Sequence, residues 1–502
     1  MTERSAGVLL HPTSLPGPGG LGSEARDFVD FLAAAGSRIW QMLPPSPVGP
    51  GNSPYASRSA FACEPLLISL PGLAEDGLLD RLTGFAPSAA DPHSFDFDRL
   101  REHRAPFLRS ACNEFLAGGG ATALDRFHEA NPWLEPYARF AALRELSDQP
   151  WWLWPGRYHD PLEFPSAGPT ALADEVRYQC FLQWAVDRQW TALHLYAQAR
   201  GVALYGDVPI FVDLDSADAW SNQSQFKLDR EGRPQVVAGV PPDAFSVTGQ
   251  RWGNPHYDWS AMRADGFAWW VARMRRTLSL FDAVRIDHFR GFESAWEIPA
   301  EAPTAVDGHW EPGPGRDLFD ALAAALGKLP IVVEDLGIIT PQVRALRDAL
   351  GYPGMAVLQF AFGDDDANPY LPHNQVTNQV VFTGTHDNDT TLGWYRNAPD
   401  LERHRVREYL SIDGEDIVDD LIRCAYRSIA NTAIIPMQDV LQLGSEARMN
   451  VPGRAEGNWR WRFAWDQLEP GRTEWLAALA RESSRHPQDG GPMSVIRLSV
   501  GD

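Results

Sequence analysis

Ala283-Val-Arg-Ile-Asp-His-Phe289 decides the fold of this chain: a short apolar run that reads as a buried strand and surfaces on a carboxylate. Two further stretches have the same design, Ile331-Val-Val-Glu-Asp335 and Val380-Val-Phe-Thr-Gly-Thr-His-Asp-Asn388. Strands buried on both faces read as near-continuous hydrophobic runs, and a (β/α)8 barrel keeps its chemistry at their carboxyl ends. One strand ending in Asp or Glu is commonplace. Three in chain order point to one rim.

Working outward, eight segments have this character: residues 7–11, 38–43, 203–210, 281–286, 330–334, 354–360, 379–383 and 433–439. Helical patterns separate most of them. The run 23–36 opens with a cap-like Ser23 and stops at Gly36; 340–351 opens with Thr340 and Pro341 and stops at Gly351; 265–280 is a further amphipathic run. Alternating strands and helices give an α/β fold, a closed parallel (β/α)8 TIM barrel over residues 1–502. The spacing is uneven. Residues 63–200 are too many for one barrel loop and read as an inserted helical subdomain. Residues 213–258, rich in Gly, Pro, Asn and aromatics, read as an inserted loop subdomain over the barrel mouth. After the eighth strand only a helix over 474–481 and a short tail are expected, with no separate C-terminal β-domain.

Composition narrows the partners. The formal charge of -22 argues against nucleic acid, which wants clustered Lys and Arg, and against an anionic membrane surface. Cys63, Cys112, Cys180 and Cys424 lie far apart, without a Cys-x-x-Cys pair; they predict reduced thiols and no zinc site. With no secretory leader and no membrane-length apolar run, a cytoplasmic protein is expected. The chain carries 19 Trp, 12 Tyr and 24 Phe, and aromatic faces stack on the C–H faces of sugars, so a carbohydrate ligand gains weight.

The rim residues suit glycosyl chemistry. Two carboxylates can serve as nucleophile and acid/base, and a third can steady a developing positive charge. Arg285 points to the same side of its strand as Asp287 and would hold that carboxylate ionised, though a structural Arg–Asp pair is the plainer reading. Glu334 would be the acid/base, its pKa raised by the like charges of Asp287 and Asp387. Asp335 points to the opposite face and reads as structural. His288 and His386 could bind sugar hydroxyls. The run His386-Asp-Asn-Asp389 is too tightly packed for a calcium loop, and no His-x-His or clustered-carboxylate metal set stands out.

Arg285-Ile-Asp287, Glu334 and His386-Asp387 together resemble the catalytic regions of the α-amylase superfamily. Further motifs narrow the likeness to the 4-α-glucanotransferases of glycoside hydrolase family 77, the amylomaltase or disproportionating-enzyme group. They are His11-Pro-Thr-Ser-Leu-Pro16, Gln41-Met-Leu-Pro-Pro45, Asn52-Ser-Pro-Tyr-Ala-Ser57, Gly206-Asp-Val-Pro-Ile-Phe-Val212, Gly239-Val-Pro-Pro-Asp243, Gln250-Arg-Trp-Gly-Asn-Pro255 and Asn458-Trp-Arg-Trp461. The resemblance implies Asp287 as nucleophile, Glu334 as acid/base and Asp387 as transition-state stabiliser. It implies Arg285, His288, His386 and Asp207 around them, and Ser53, Tyr55, Phe245, Gln250, Trp252 and Asn458 as glucan contacts.

The activity implied is retaining transfer of α-1,4-glucan segments, through a covalent glucosyl-enzyme and without a cofactor. Donors would be maltooligosaccharides or amylose-like chains; the acceptor would be the 4-hydroxyl of glucose or a maltooligosaccharide. Cyclisation of long glucans is a further implied activity. Two departures bear on product size. Gly49-Pro-Gly-Asn-Ser-Pro-Tyr55 is shorter than the family's usual loop and lacks its first Tyr, and Ala244 stands where a Tyr is usual. Phe245, Trp252 and Tyr55 would favour transfer by binding an acceptor sugar and displacing water, so Phe245→Ser should release more free glucose. An α-1,4-glucan hydrolase on the same scaffold is the alternative, and a catalytically silent carbohydrate-binding barrel is disfavoured because all three carboxylates are present.

Overall fold

A computed structural model describes residues 4–17, 19–79, 91–164, 170–242, 246–337 and 339–486. Eight strands form one parallel sheet: Ser5–Leu9, Ile39–Gln41, Ala203–Val208, Ala283–Ile286, Ile331–Val333, Gly354–Val357, Gln379–Phe382 and Thr432–Pro436. Each pairs in parallel with its neighbour from the sixth round through the eighth and first to the fifth. Every segment read as a strand is therefore one, and the chain folds as a (β/α)8 barrel. Val8, Trp40, Leu204, Val284, Val333, Val381 and Ile434 are buried, which is why the runs read as apolar without alternation.

The seam between the fifth and sixth strands closes differently. The Val333 N–H donates to the Pro353 carbonyl at 2.9 Å. Asp335 completes the seam: Oδ1 accepts the Met355 N–H at 2.8 Å and Oδ2 accepts Arg347 Nη1 at 2.6 Å. A Cβ on Gly354 would lie 2.4 Å from Asp335 Oδ2, so the close approach needs glycine. Asp335 is buried. Asp335→Ala should therefore cost about 2 kcal/mol by stranding the buried Met355 donor, while Arg347 keeps its pair with Asp348, seen as a lowered unfolding temperature.

The long interval between the second and third strands holds helices Phe97–Ala117, Ala121–Ala130, Leu134–Leu146 and Thr170–Ala199, with shorter turns between. The interval after the third strand is more ordered than its composition implied. Strands Val236–Val240 and Gln250–Pro255 join Ser294–Pro299 and His309–Pro312, from beyond the fourth barrel strand, in an antiparallel sheet. Among the flanking helices, Pro341–Leu350 starts and stops as read, with the Thr340 hydroxyl capping Val343 and Gly351 left-handed at φ 71°. Helix Ser23–Ala34 is capped by Gly22 rather than by Ser23. A helix over Arg472–Glu482 follows the last strand. No helix among the described residues is long and apolar enough to cross a membrane.

Candidate active site

The register of the third and fourth strands sets Asp207 opposite Arg285. Arg285 Nη1 donates to Asp207 Oδ2 and Nη2 to Asp287 Oδ1, both at 2.7 Å. Burial opposes the guanidinium charge, but Asp207 and Asp287 outweigh it and hold Arg285 well above its ordinary pKa. The Tyr55 hydroxyl donates to the same Asp207 oxygen at 2.7 Å. Asp207 is 4% exposed, and burial pushes its carboxyl upward while Arg285 pulls it down. Asp287, at the outer end of this chain of ion pairs, has a side chain 28% open to solvent. The i to i+2 spacing of Arg285 and Asp287 is thus an ion pair at the rim.

Glu334 follows the fifth strand directly. Its Oε2 accepts the His288 N–H at 2.8 Å and its Oε1 accepts the Leu336 N–H at 2.7 Å. These bonds leave each oxygen a second lone pair, on which a proton can sit. Its pKa is pushed up to about 7. Burial is the largest cause; Arg285 opposes it, and Asp287 adds like charge. The sequence argument credited Asp287 and Asp387; burial comes first, and the second carboxylate involved is the adjacent Asp335.

His288 adopts φ 48°, ψ 50°, a left-handed conformation uncommon outside glycine, and this turn aims its N–H at Glu334. Burial pushes its imidazole down to about 4, so the ring is neutral near pH 7. Its Nε2 has no hydrogen-bond partner among the described residues. The Trp252 ring stands edge-on to it at 4.9 Å. Trp252 is 40% exposed, and its Nε1 donates to Gln250 Oε1 at 3.1 Å.

His386 is buried and stacks on Tyr55, centroids 5.0 Å apart and planes at 13°. Its Nε2 lies 3.4 Å from Asp387 Oδ2. Ser53 Oγ accepts the Tyr55 N–H at 3.3 Å and so shapes the turn that carries Tyr55. Asn458 is buried and spends its amide on its own loop: Oδ1 accepts the Val451 N–H, and Nδ2 donates to the Val451 and Arg454 carbonyls. Phe245 and Ala244 lie outside the described residues.

Several neighbours had no assigned role in the sequence reading. Trp459, left-handed at φ 66°, sets its ring 5.9 Å from Tyr55 and 6.0 Å from His386. Its place beside Asn458 in a tryptophan-rich run was the available signal. Burial pushes His11, two residues past the first strand, down to about 3. Asn450 and Arg448 contact Asp387, and nothing in their sequence context marks them.

An ion-paired carboxylate, a carboxyl that holds its proton to near neutrality and a third carboxylate on one rim form a set suited to breaking a glycosidic bond. Comparison with known proteins gives the family. The family model described as 4-alpha-glucanotransferase, glycoside hydrolase family 77, matches residues 10–467. The 4-alpha-glucanotransferase of Thermus thermophilus is 49% identical, the match covering 96% of this chain and 99% of that protein. The Arabidopsis thaliana 4-alpha-glucanotransferase DPE1, chloroplastic/amyloplastic, is 45% identical over 93% of this chain and 84% of that protein. Among solved structures, the amylomaltase from Streptococcus agalactiae in complex with acarbose superposes with a TM-score of 0.91 at 35% identity, covering 97% of this chain and 100% of that one. The chain belongs to glycoside hydrolase family 77 and is a 4-α-glucanotransferase.

Proposed function

We propose that this chain disproportionates α-1,4-glucans by double displacement, with Asp287 as nucleophile, Glu334 as acid/base and Asp387 as stabiliser of the oxocarbenium-like state. In the first step the Asp287 carboxylate attacks C1 of the donor sugar. The C1–O4 bond breaks as Glu334 gives its proton to O4, and a glucosyl ester remains on Asp287. In the second step the 4-hydroxyl of glucose or a maltooligosaccharide gives its proton to Glu334. Its oxygen bonds C1 as the ester bond breaks. The proton lent in the first step returns in the second, so no cofactor is needed.

The observation that carries this reading is the contrast between the two carboxyl groups. Arg285 bonds Asp287 at 2.7 Å, while Glu334 keeps its proton up to about 7. An ion-paired carboxylate beside a carboxyl that keeps its proton is what a nucleophile and an acid require. The aromatic faces of Tyr55 and Trp252 and the neutral His288 support acceptor binding over entry of water, with Gln250 fixing the Trp252 edge. The unpaired cysteines suit a reducing compartment such as the cytoplasm.

Maltotriose alone tests the reaction. A ladder of longer and shorter maltooligosaccharides at constant total reducing ends is expected. Rising reducing ends with only shorter products would instead mark a hydrolase.

A further inference from the structure

Asp387 has a more open position than Asp287, its side chain 49% accessible against 28%. A carboxylate at an open rim has two free torsions and samples several rotamers. A group that stabilises a transition state must already point at it. The fourth-strand carboxylate has its guanidinium to hold it. Asp387, just past the seventh strand, is held by the neighbouring loop that follows the eighth strand.

Three hydrogen bonds make this clamp. Asn450 Nδ2 donates to Asp387 Oδ1 at 2.6 Å. Arg448 Nη2 donates to the Asp387 carbonyl at 2.7 Å, and its Nε donates to the Asn450 carbonyl at 2.7 Å. Asn450 is itself buried, so its amide is not competed for by bulk water. The loop is stiff for its length: Asn458 ties residues 451 and 454, and the Trp459 N–H donates to the Met449 carbonyl at 2.8 Å. The Trp459 ring then rests on Tyr55 and His386. Oδ1 of Asp387 is thus taken by Asn450, and Oδ2, facing His386, remains for sugar hydroxyls.

We propose that Asn450, seated by Arg448, is a positioning residue that fixes the orientation of Asp387 for the glucosyl-transfer transition state. This rests on the reading of Asp387 as stabiliser given above. Asn450 touches no reacting atom; it acts by holding the oxygen of Asp387 that does not meet the sugar.

The test uses the full chain with Asn450→Leu, Asn450→Asp and Asp387→Asn. Leucine keeps the volume and loses the donor; aspartate keeps the shape and opposes Asp387 with like charge. For Asn450→Leu, kcat on maltotriose should fall about 10- to 100-fold with KM little changed, below the cost of losing a direct donor. Affinity for acarbose, used as a mimic of the flattened transition state, should weaken in step with kcat/KM. Asn450→Asp should lose more than Asn450→Leu. It is the near-isosteric variant, so it reads the effect even where Leu lowers stability. Wild-type kcat and acarbose affinity in both variants, beside an inactive Asp387→Asn, would overturn the proposal. So would a change confined to KM. An active Asp387→Asn would instead overturn the role given to Asp387, and the Asn450 proposal with it.

Discussion

Asp287→Asn is expected to lower disproportionation of maltotriose by about four orders of magnitude or more, the scale on which loss of an attacking group acts. The amide nearly matches the carboxylate in size, and its oxygen can still accept from Arg285 Nη2 across the 2.7 Å contact. The fold should survive, because Arg285 keeps Asp207 as a buried charge partner. What is lost is the ionised oxygen that forms the ester. The variant should therefore show no glucosyl adduct by intact-protein mass measurement, even with a donor whose leaving group departs unaided. Its unfolding temperature should stay close to that of the parent. A well-folded Asp287→Asn that keeps a substantial fraction of the parent rate would exclude Asp287 as nucleophile.

The sequence reaches this site by a definite route. The barrel strands are largely buried, so 330–334 and 379–383 read as apolar runs, as does 281–286 apart from Asp282 and Arg285, and the carboxylates at or past their ends fall at the rim. Arg285 and Asp287 share a side because side chains alternate along a strand. Strand register, which sets Asp207 opposite Arg285, is not in the local pattern; the family likeness supplied that residue. Strands Gln250–Pro255 and His309–Pro312 were illegible because they are largely exposed and carry Gly and Pro, the composition of a loop. The hold on Asp387 was illegible for another reason. Asn450 is 63 residues away in sequence, and its contact depends on the path of an irregular loop. Glu334 shows the same limit on energetics: like charge can be counted from neighbours, but the larger cause, burial, comes only from packing.

Glu334 accordingly gives the second large effect, and its sign follows from that burial. A carboxyl raised from 4.5 to about 7 keeps its proton across a window in which an ordinary one has lost it. The acid needed for donor cleavage is present below about 7, and kcat/KM should fall about tenfold per pH unit well above it. Folding also takes up a proton in this window, so the Glu334 contribution to stability declines as pH rises from 4.5 to about 7. Glu334→Gln should flatten the alkaline limb and lower transfer from maltotriose by about 10³-fold, within the usual span for a general acid. α-Glucosyl fluoride separates the two steps, because fluoride leaves without a proton. With that donor Asp287 should still be glucosylated, and the ester should accumulate because no base draws the proton from the acceptor hydroxyl. Azide, which needs no base, should discharge it. An unshifted alkaline limb in Glu334→Gln would mean that another group carries the proton.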